Sequence, residues 1–239
     1  MSKHPILLAL GAGLLVLVAA FAAPLWQWLR GQAGGSGAAA LAPPQGLPWQ
    51  VQALPDGLSQ VFGLVPGRDS LAQAQARLGD GLQVALVARL GEVGTLEALA
   101  DPFVAGFVSG RLVLAFDAPA DALARWRDQA PRSQAMSDGV RRFALRPADL
   151  EEARRVPLLG ISFVPALRLR EADLRQRFGA PAERHDLGDG ALVLLYPALG
   201  LSASVGPASR SVLQYVAPRD FEARLRVPLG GPANAASAP

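Results

Sequence analysis

The chain has 239 residues, of which 51% are hydrophobic, with no cysteine and a formal net charge of +3. That length suits one large or two small domains, and the apolar share is enough for a core. Without cysteine there are no disulfides, cysteine metal sites, thiol nucleophiles or lipid attached through an N-terminal cysteine; lysine occurs only at Lys3, which also excludes a phosphate loop ending in Gly-Lys.

Ile6–Ala23 is an unbroken run of 18 apolar or glycine residues. As a helix it is about 27 Å long, enough to cross the hydrocarbon core of a bilayer. Trp26 and Trp28 follow it, at the depth where indoles favour the headgroup interface. The run exceeds the apolar stretch of a usual signal peptide. Residues 1–30 are therefore expected to be an N-terminal transmembrane helix, with the membrane contacted through residues 6–29. This makes a single-pass protein of the bacterial inner membrane with its C-terminal body in the periplasm. The alternative is cleavage at Ala20-Phe21-Ala22, which leaves a periplasmic protein. Residues 31–48 are rich in Gly, Ala, Ser and Pro and read as a flexible linker.

The body repeats itself. Arg111–Arg127 reads RLVLAFDAPADALARWR, and 99 positions later Arg210–Arg226 reads RSVLQYVAPRDFEARLR, identical at nine of seventeen positions. Val65-Pro66 and Arg77-Leu78-Gly79 are answered by Val164-Pro165 and Arg177-Phe178-Gly179. Two anchors at nearly one offset point to two copies of one unit. The charge of the body is split unevenly: residues 51–130 carry 6 Arg against 9 acids, residues 131–239 carry 15 against 11.

The first copy is expected over 49–130. Phe62–Val65 reads as a short strand, and Asp69–Leu78 as a helix with Leu71, Ala74 and Leu78 on one stripe. Gly79-Asp80-Gly81 stops that helix. Strands are predicted at Leu82–Leu90, Thr95–Ala100, Phe103–Val108 and Arg111–Phe116, and a closing helix at Pro119–Gln129. Residues 131–159 connect the copies through a loop (Pro131–Gly139), a strand (Val140–Leu145) and a helix (Pro147–Arg155). The second copy, over 160–228, has a strand at Ile161–Val164 and a helix at Arg170–Phe178. Strands follow at Ala182–Leu187, Ala191–Tyr196, Leu201–Val205 and Ser211–Val216, and a closing helix at Pro218–Arg226. Residues 229–239 read as a disordered tail. The fold class expected is α+β: a transmembrane helix plus two tandem repeats, each a helix, an antiparallel β-meander and a closing helix.

A helix ending Arg177-Phe178-Gly179-Ala180-Pro181, then a strand, Tyr196 and a strand led by Gly200-Leu201, resembles the SmpA/OmlA-type family of small lipoproteins that assist outer-membrane protein assembly. Two such units in tandem resemble the β-lactamase-inhibitor protein fold. The likeness covers about 160–216 and, more weakly, 62–116. That family carries a lipidated cysteine, which this chain lacks. The resemblance implies a fold and protein binding in the envelope, and no site residue.

Chemistry-bearing residues are few. His185 is followed by Asp186 and Asp189, a pattern open to a general base with its orienter or to two metal ligands. Adjacent strand residues point to opposite faces, which favours a solvated hairpin tip instead. Asp121 and Asp220 recur in Ala-Pro-x-Asp and read as helix caps in preference to a catalytic pair. Arg125, Arg127, Arg224 and Arg226 recur too. They either complement a helix C-terminus or bind an anion or headgroup. Ser109 and Ser202 lack a Gly-x-Ser-x-Gly setting. Aromatic residues are sparse and no basic stripe interleaves with them, so nucleic-acid binding is not indicated. No catalytic residue, cofactor or metal site is assigned. The expected function is a non-enzymatic, membrane-anchored periplasmic protein-binding or scaffold protein of the cell envelope, its partner another envelope protein. The alternatives are a periplasmic ligand- or peptide-binding module, or an exported enzyme using His185 and nearby acids.

Overall fold

The computed structural model describes residues 46–229, apart from residue 80 and residues 137 and 138. The expected membrane segment at Ile6–Ala23, most of the linker and nearly all of the tail lie outside the described residues. Among the described residues no helix is long and apolar enough to cross a membrane.

The described chain opens with a small ribbon, β1 (Gln52–Leu54) and β2 (Leu58–Gln60). α1 (Leu71–Leu78) starts at Ser70, whose hydroxyl accepts from the Gln73 amide while the Gln73 side chain accepts from the Ser70 amide. This reciprocal cap satisfies two of the amides a helix start leaves open. Then come β3 (Gln83–Arg89), β4 (Thr95–Ala105), β5 (Val108–Phe116), α2 (Ala120–Asp128), β6 (Ser133–Ala135), β7 (Val140–Phe143), α3 (Pro147–Ala153), β8 (Leu158–Pro165) and α4 (Glu171–Phe178). The remaining strands are β9 (Glu183–Gly188), β10 (Ala191–Tyr196), β11 (Leu201–Val205) and β12 (Val212–Val216). The described chain closes on a helical segment of changing pitch: a 3₁₀ turn (Pro218–Asp220), a π turn (Glu222–Arg226) and α5 (Val227–Leu229).

Ten strands form one antiparallel sheet, in the order β6-β7-β3-β4-β5-β8-β12-β11-β10-β9. This overturns the expected α+β pair of repeats. The protein is mostly β, one large sheet with five short helices among the described residues. The reason lies at β5. The first copy has no strand equivalent to β8. At Phe62–Val65, Val61 and Leu64 exchange two backbone hydrogen bonds of 2.9 Å across a tight turn in which Phe62 and Gly63 have φ of 54° and 74°. An apolar strand such as β5 cannot leave its edge open without inviting aggregation. β8 covers it, pairing Leu112 with Phe163 and Leu114 with Ile161, while its other edge pairs Phe163 with Leu213 and Ile161 with Tyr215. The seam is tight: a Cβ on Gly110 would stand 2.4 Å from the carbonyl oxygen of Val164.

The repeated strands β5 and β12 thus flank the same β8 and turn Leu114, Phe116, Leu213 and Tyr215 into one core. Their closing helices part company. Leu123 and Trp126 of α2 join that core, whereas Phe221, Leu225 and Leu229 cover Val193, Leu195 and Val216 on the opposite face. Two further expectations need correction. Thr95–Ala105 is one strand with a bulge between Ala100 and Phe103, so the first half has three strands where four were expected. Proline is tolerated at such a bulge, where the ladder lapses, and Pro102 sits in it. The expected loop at Pro131–Gly139 contains β6, the short strand at one edge.

The centre of the core is aromatic. The positive φ of Phe62 aims its ring at Phe103, Phe163 and Tyr215, with centroids 5.3, 5.4 and 6.0 Å away. The Tyr215 hydroxyl is buried and donates to the Pro48 carbonyl at 2.7 Å, which gives its one polar atom a partner. Burial holds its pKa well above the ordinary tyrosine value.

Candidate binding surface

β9 reads Glu-Arg-His-Asp-Leu-Gly and forms the last strand of the sheet. Among the described residues it pairs only with β10, so its outer backbone has no strand beside it. Its side chains are divided between the two faces. Arg184, on the core side, meets Glu171 at 3.3 Å, and Glu171 in turn accepts from Arg175 at 2.9 Å. These two guanidiniums hold the Glu171 carboxyl below its usual pKa, Arg175 contributing most. On the far face His185 Nε2 lies 3.1 Å from Glu183, whose other oxygen meets Arg226 at 2.5 Å. Arg226 also binds Glu222 one turn back.

The pairing of His185 with Asp186 or Asp189, set aside above in favour of a solvated hairpin tip, does not form. Asp186 turns to the other face and accepts from the Gly188 amide at 3.0 Å, and Asp189 sits in the following turn at φ 51°. The acid beside His185 is Glu183, two residues back on the same face of the strand. The period of two was readable in the sequence and would have found it.

The recurring acids and arginines have separate structural partners. Neither Asp121 nor Asp220 makes a side-chain cap hydrogen bond, so the expected capping role is corrected to charge alone at a helix start. The two sit on helices packed against opposite faces of the sheet and form no pair. Arg125 binds both oxygens of Glu152 at 2.6 Å, tying α2 to α3, and this hydrogen bonding lowers the Glu152 pKa. Arg127 donates to the Glu92 carbonyl at 2.9 Å, and Arg224 lies 3.9 Å from Asp117. Ser109 is exposed at a strand end, and Ser202 is buried under the closing helix.

Beneath that helix Ser202, Ser204, Gln214 and Arg224 border a cavity of about 10 Å³, room for about one water. Sequence reasoning also missed Glu97, a β4 carboxylate only 4% exposed, whose Oε2 has no hydrogen-bond partner. Nothing in its local sequence marks it. Among the described residues no three His, Asp or Glu side chains gather in a way that would hold a metal ion.

No family model, curated protein or solved structure matches the chain.

Proposed function

We propose that this is a non-enzymatic, membrane-anchored binding protein of the bacterial cell envelope, facing the periplasm, which recognises another envelope protein along β9. One observation carries the reading: β9 ends a ten-stranded sheet with its outer backbone unpaired among the described residues. An extended segment added there gains a ladder of main-chain hydrogen bonds, and side chains at alternate positions supply specificity. Charged residues at an edge discourage indiscriminate pairing. Glu183, Arg184, His185 and Asp186 do so here and favour a partner strand of complementary charge. The cavity under the closing helix is too small for an organic ligand, which favours a surface over that pocket. Anchoring through Ile6–Ala23 would confine the search to the membrane and raise the effective concentration of a membrane-bound partner.

The test is photo-crosslinking in intact cells from Arg184 and Asp186, which are exposed; Leu194 and Ser202 on neighbouring strands are buried and serve as controls. One reproducible protein adduct from β9 and none from the controls is expected. No adduct from β9, or turnover of a small substrate that His185→Ala abolishes, overturns the reading.

A further inference from the structure

Seven large apolar residues are exposed among those described, and four of them, Val104, Phe107, Leu167 and Leu187, stand at one end of the sheet. The register fixes this. Gly110 at the start of β5 pairs with Pro165 at the end of β8, Phe163 with Leu213 near the start of β12, and Leu192 at the start of β10 with Val205 and Asp186. The β4–β5 tip, the loop after β8, the β11–β12 loop and the β9–β10 turn therefore share one rim. They touch in sequence: the Ala166 amide donates to the Ser109 carbonyl at 2.8 Å, Arg168 donates to the Pro207 carbonyl, and Pro207 packs beside Gly190. Phe107 is 77% exposed at the tip of the hairpin that projects beyond β3.

The N-terminal side of the chain enters the fold at this same rim. Leu47 packs so close to Gly106 that a Cβ there would meet it at 2.9 Å. The Trp49 ring lies 5.8 Å from Phe107, with the Arg177 guanidinium 3.5 Å over its face. From Trp49 the chain leads back, through 25 residues (24–48), to the apolar run Ile6–Ala23.

We infer that this rim is the membrane-facing end of the protein, with Phe107 and Leu167 inserted at the lipid headgroup boundary. The inference rests on the membrane anchor of the proposed function but not on the partner at β9. The described chain enters the fold beside this apolar rim, which makes it the end of the body nearest along the chain to the run Ile6–Ala23. Aromatic and aliphatic side chains with arginine around them suit the interfacial zone. Arg168, Arg170 and Arg210 are exposed here, and so are Asp101, Asp186 and Asp189. The charge is mixed, so insertion of apolar side chains, not attraction to anionic lipid, supplies the affinity, and salt has little effect. Both sheet edges then face sideways over the membrane, with β9 open to a neighbour.

The chain has no cysteine, so a nitroxide can be placed on Phe107→Cys, Leu167→Cys and, at the opposite end, Leu90→Cys, which is 90% exposed. The full chain is reconstituted into phosphatidylcholine–phosphatidylglycerol vesicles, and collisions with oxygen and with a water-soluble nickel chelate are compared. Nickel collisions at 107 and 167 should fall about threefold or more below those at 90, with oxygen access kept, as for side chains at the acyl boundary. Equal nickel access at all three positions, in chains that float with the vesicles, overturns the docking but leaves the anchor intact. Protection from both reagents, with spin–spin broadening as protein density rises, makes a second copy the occupant and overturns it too. A chain that does not float removes the anchor and this inference together.

Discussion

Arg226 of the closing helical segment meets Glu183 of the edge strand at 2.5 Å, an ion pair with both side chains about one-third exposed at 35% and 33%. It ties the end of the helical segment to the last strand of the sheet. Partly exposed pairs of this kind contribute about 0.2–1 kcal/mol, because water screens the attraction and two long side chains lose freedom. Apolar burial is larger. Phe221, 2% exposed, lies in the cluster beneath the same segment. Arg226→Ala should therefore lower stability by at most about 1 kcal/mol, and Phe221→Ala by about 3–5 kcal/mol. Urea denaturation of the two variants checks this; equal losses would mean that the ion pair, not the ring, holds the segment down.

Legibility followed the range of the interaction. α1 was readable because its stripe of Leu71, Ala74 and Leu78 is local, although its Ser70–Gln73 cap was not read. β10 and β11 were readable for the same reason, with turn residues next to them. The joining of the halves was not, because β5 and β8 are separated by more than 40 residues and nothing local states that β8 has two neighbours. The repeat itself misled: Pro119–Gln129 and Pro218–Arg226 share a pattern, yet Trp126 and Leu225 lie in different clusters on opposite faces. Of the edge surface, His185 was visible as the one histidine beyond the N-terminal segment. Its partner was missed because adjacency was read before alternation. Glu97 was invisible for a different reason, since burial of a charged residue is a tertiary fact.

Glu97 gives a pH dependence of definite sign. Burial raises its pKa well above the ordinary glutamate value, and the charge of Arg142 lowers it only in part. The same burial lowers the Arg142 pKa, which Glu97 in turn raises. In the unfolded chain Glu97 ionises near about pH 4.3. Above that pH the unfolded state has released a proton that the folded state still holds, so stability falls as pH rises towards the folded value. Glu97→Gln removes this loss. The variant should match the parent near pH 4 and exceed it by a margin that grows towards pH 7.5, because the amide has no proton to lose. Thermal melts across that range check the prediction, and a variant less stable at pH 7.5 would mean that the ionised form is held by Arg142.

Asp149 has the opposite sign. Arg146 donates to both its oxygens, at 2.7 and 2.9 Å, and this hydrogen bonding holds its pKa below the ordinary aspartate value. Its contribution is complete above the unfolded value of about 3.9 and disappears as pH falls through the folded one. Asp149→Asn should lower stability at neutral pH while narrowing its gap to the parent below about pH 4. Acid titration followed by circular dichroism reads that gap, and a gap constant down to pH 2 would assign the loss to packing alone.

The single sheet makes a claim about cooperativity. Leu114 in β5 and Leu213 in β12 are both fully buried, and each pairs with β8, at Ile161 and Phe163. In two independent units, damage to one would leave the other folded, and melting would divide into two transitions. Here β8 belongs to both sides, and Phe62 touches Phe163 of β8, Tyr215 of β12 and Phe103 of β4 at once. Leu114→Ala and Leu213→Ala should each cost about 2–5 kcal/mol, the usual range for a buried leucine. Each should also lower the hydrogen-exchange protection of Leu86 in β3 and Leu194 in β10 together, as expected when distant strands open in one unit. Protection lost on one side of β8 alone, with a second melting transition left at the parent's temperature, would show that the halves fold separately and that β8 is only a contact between them.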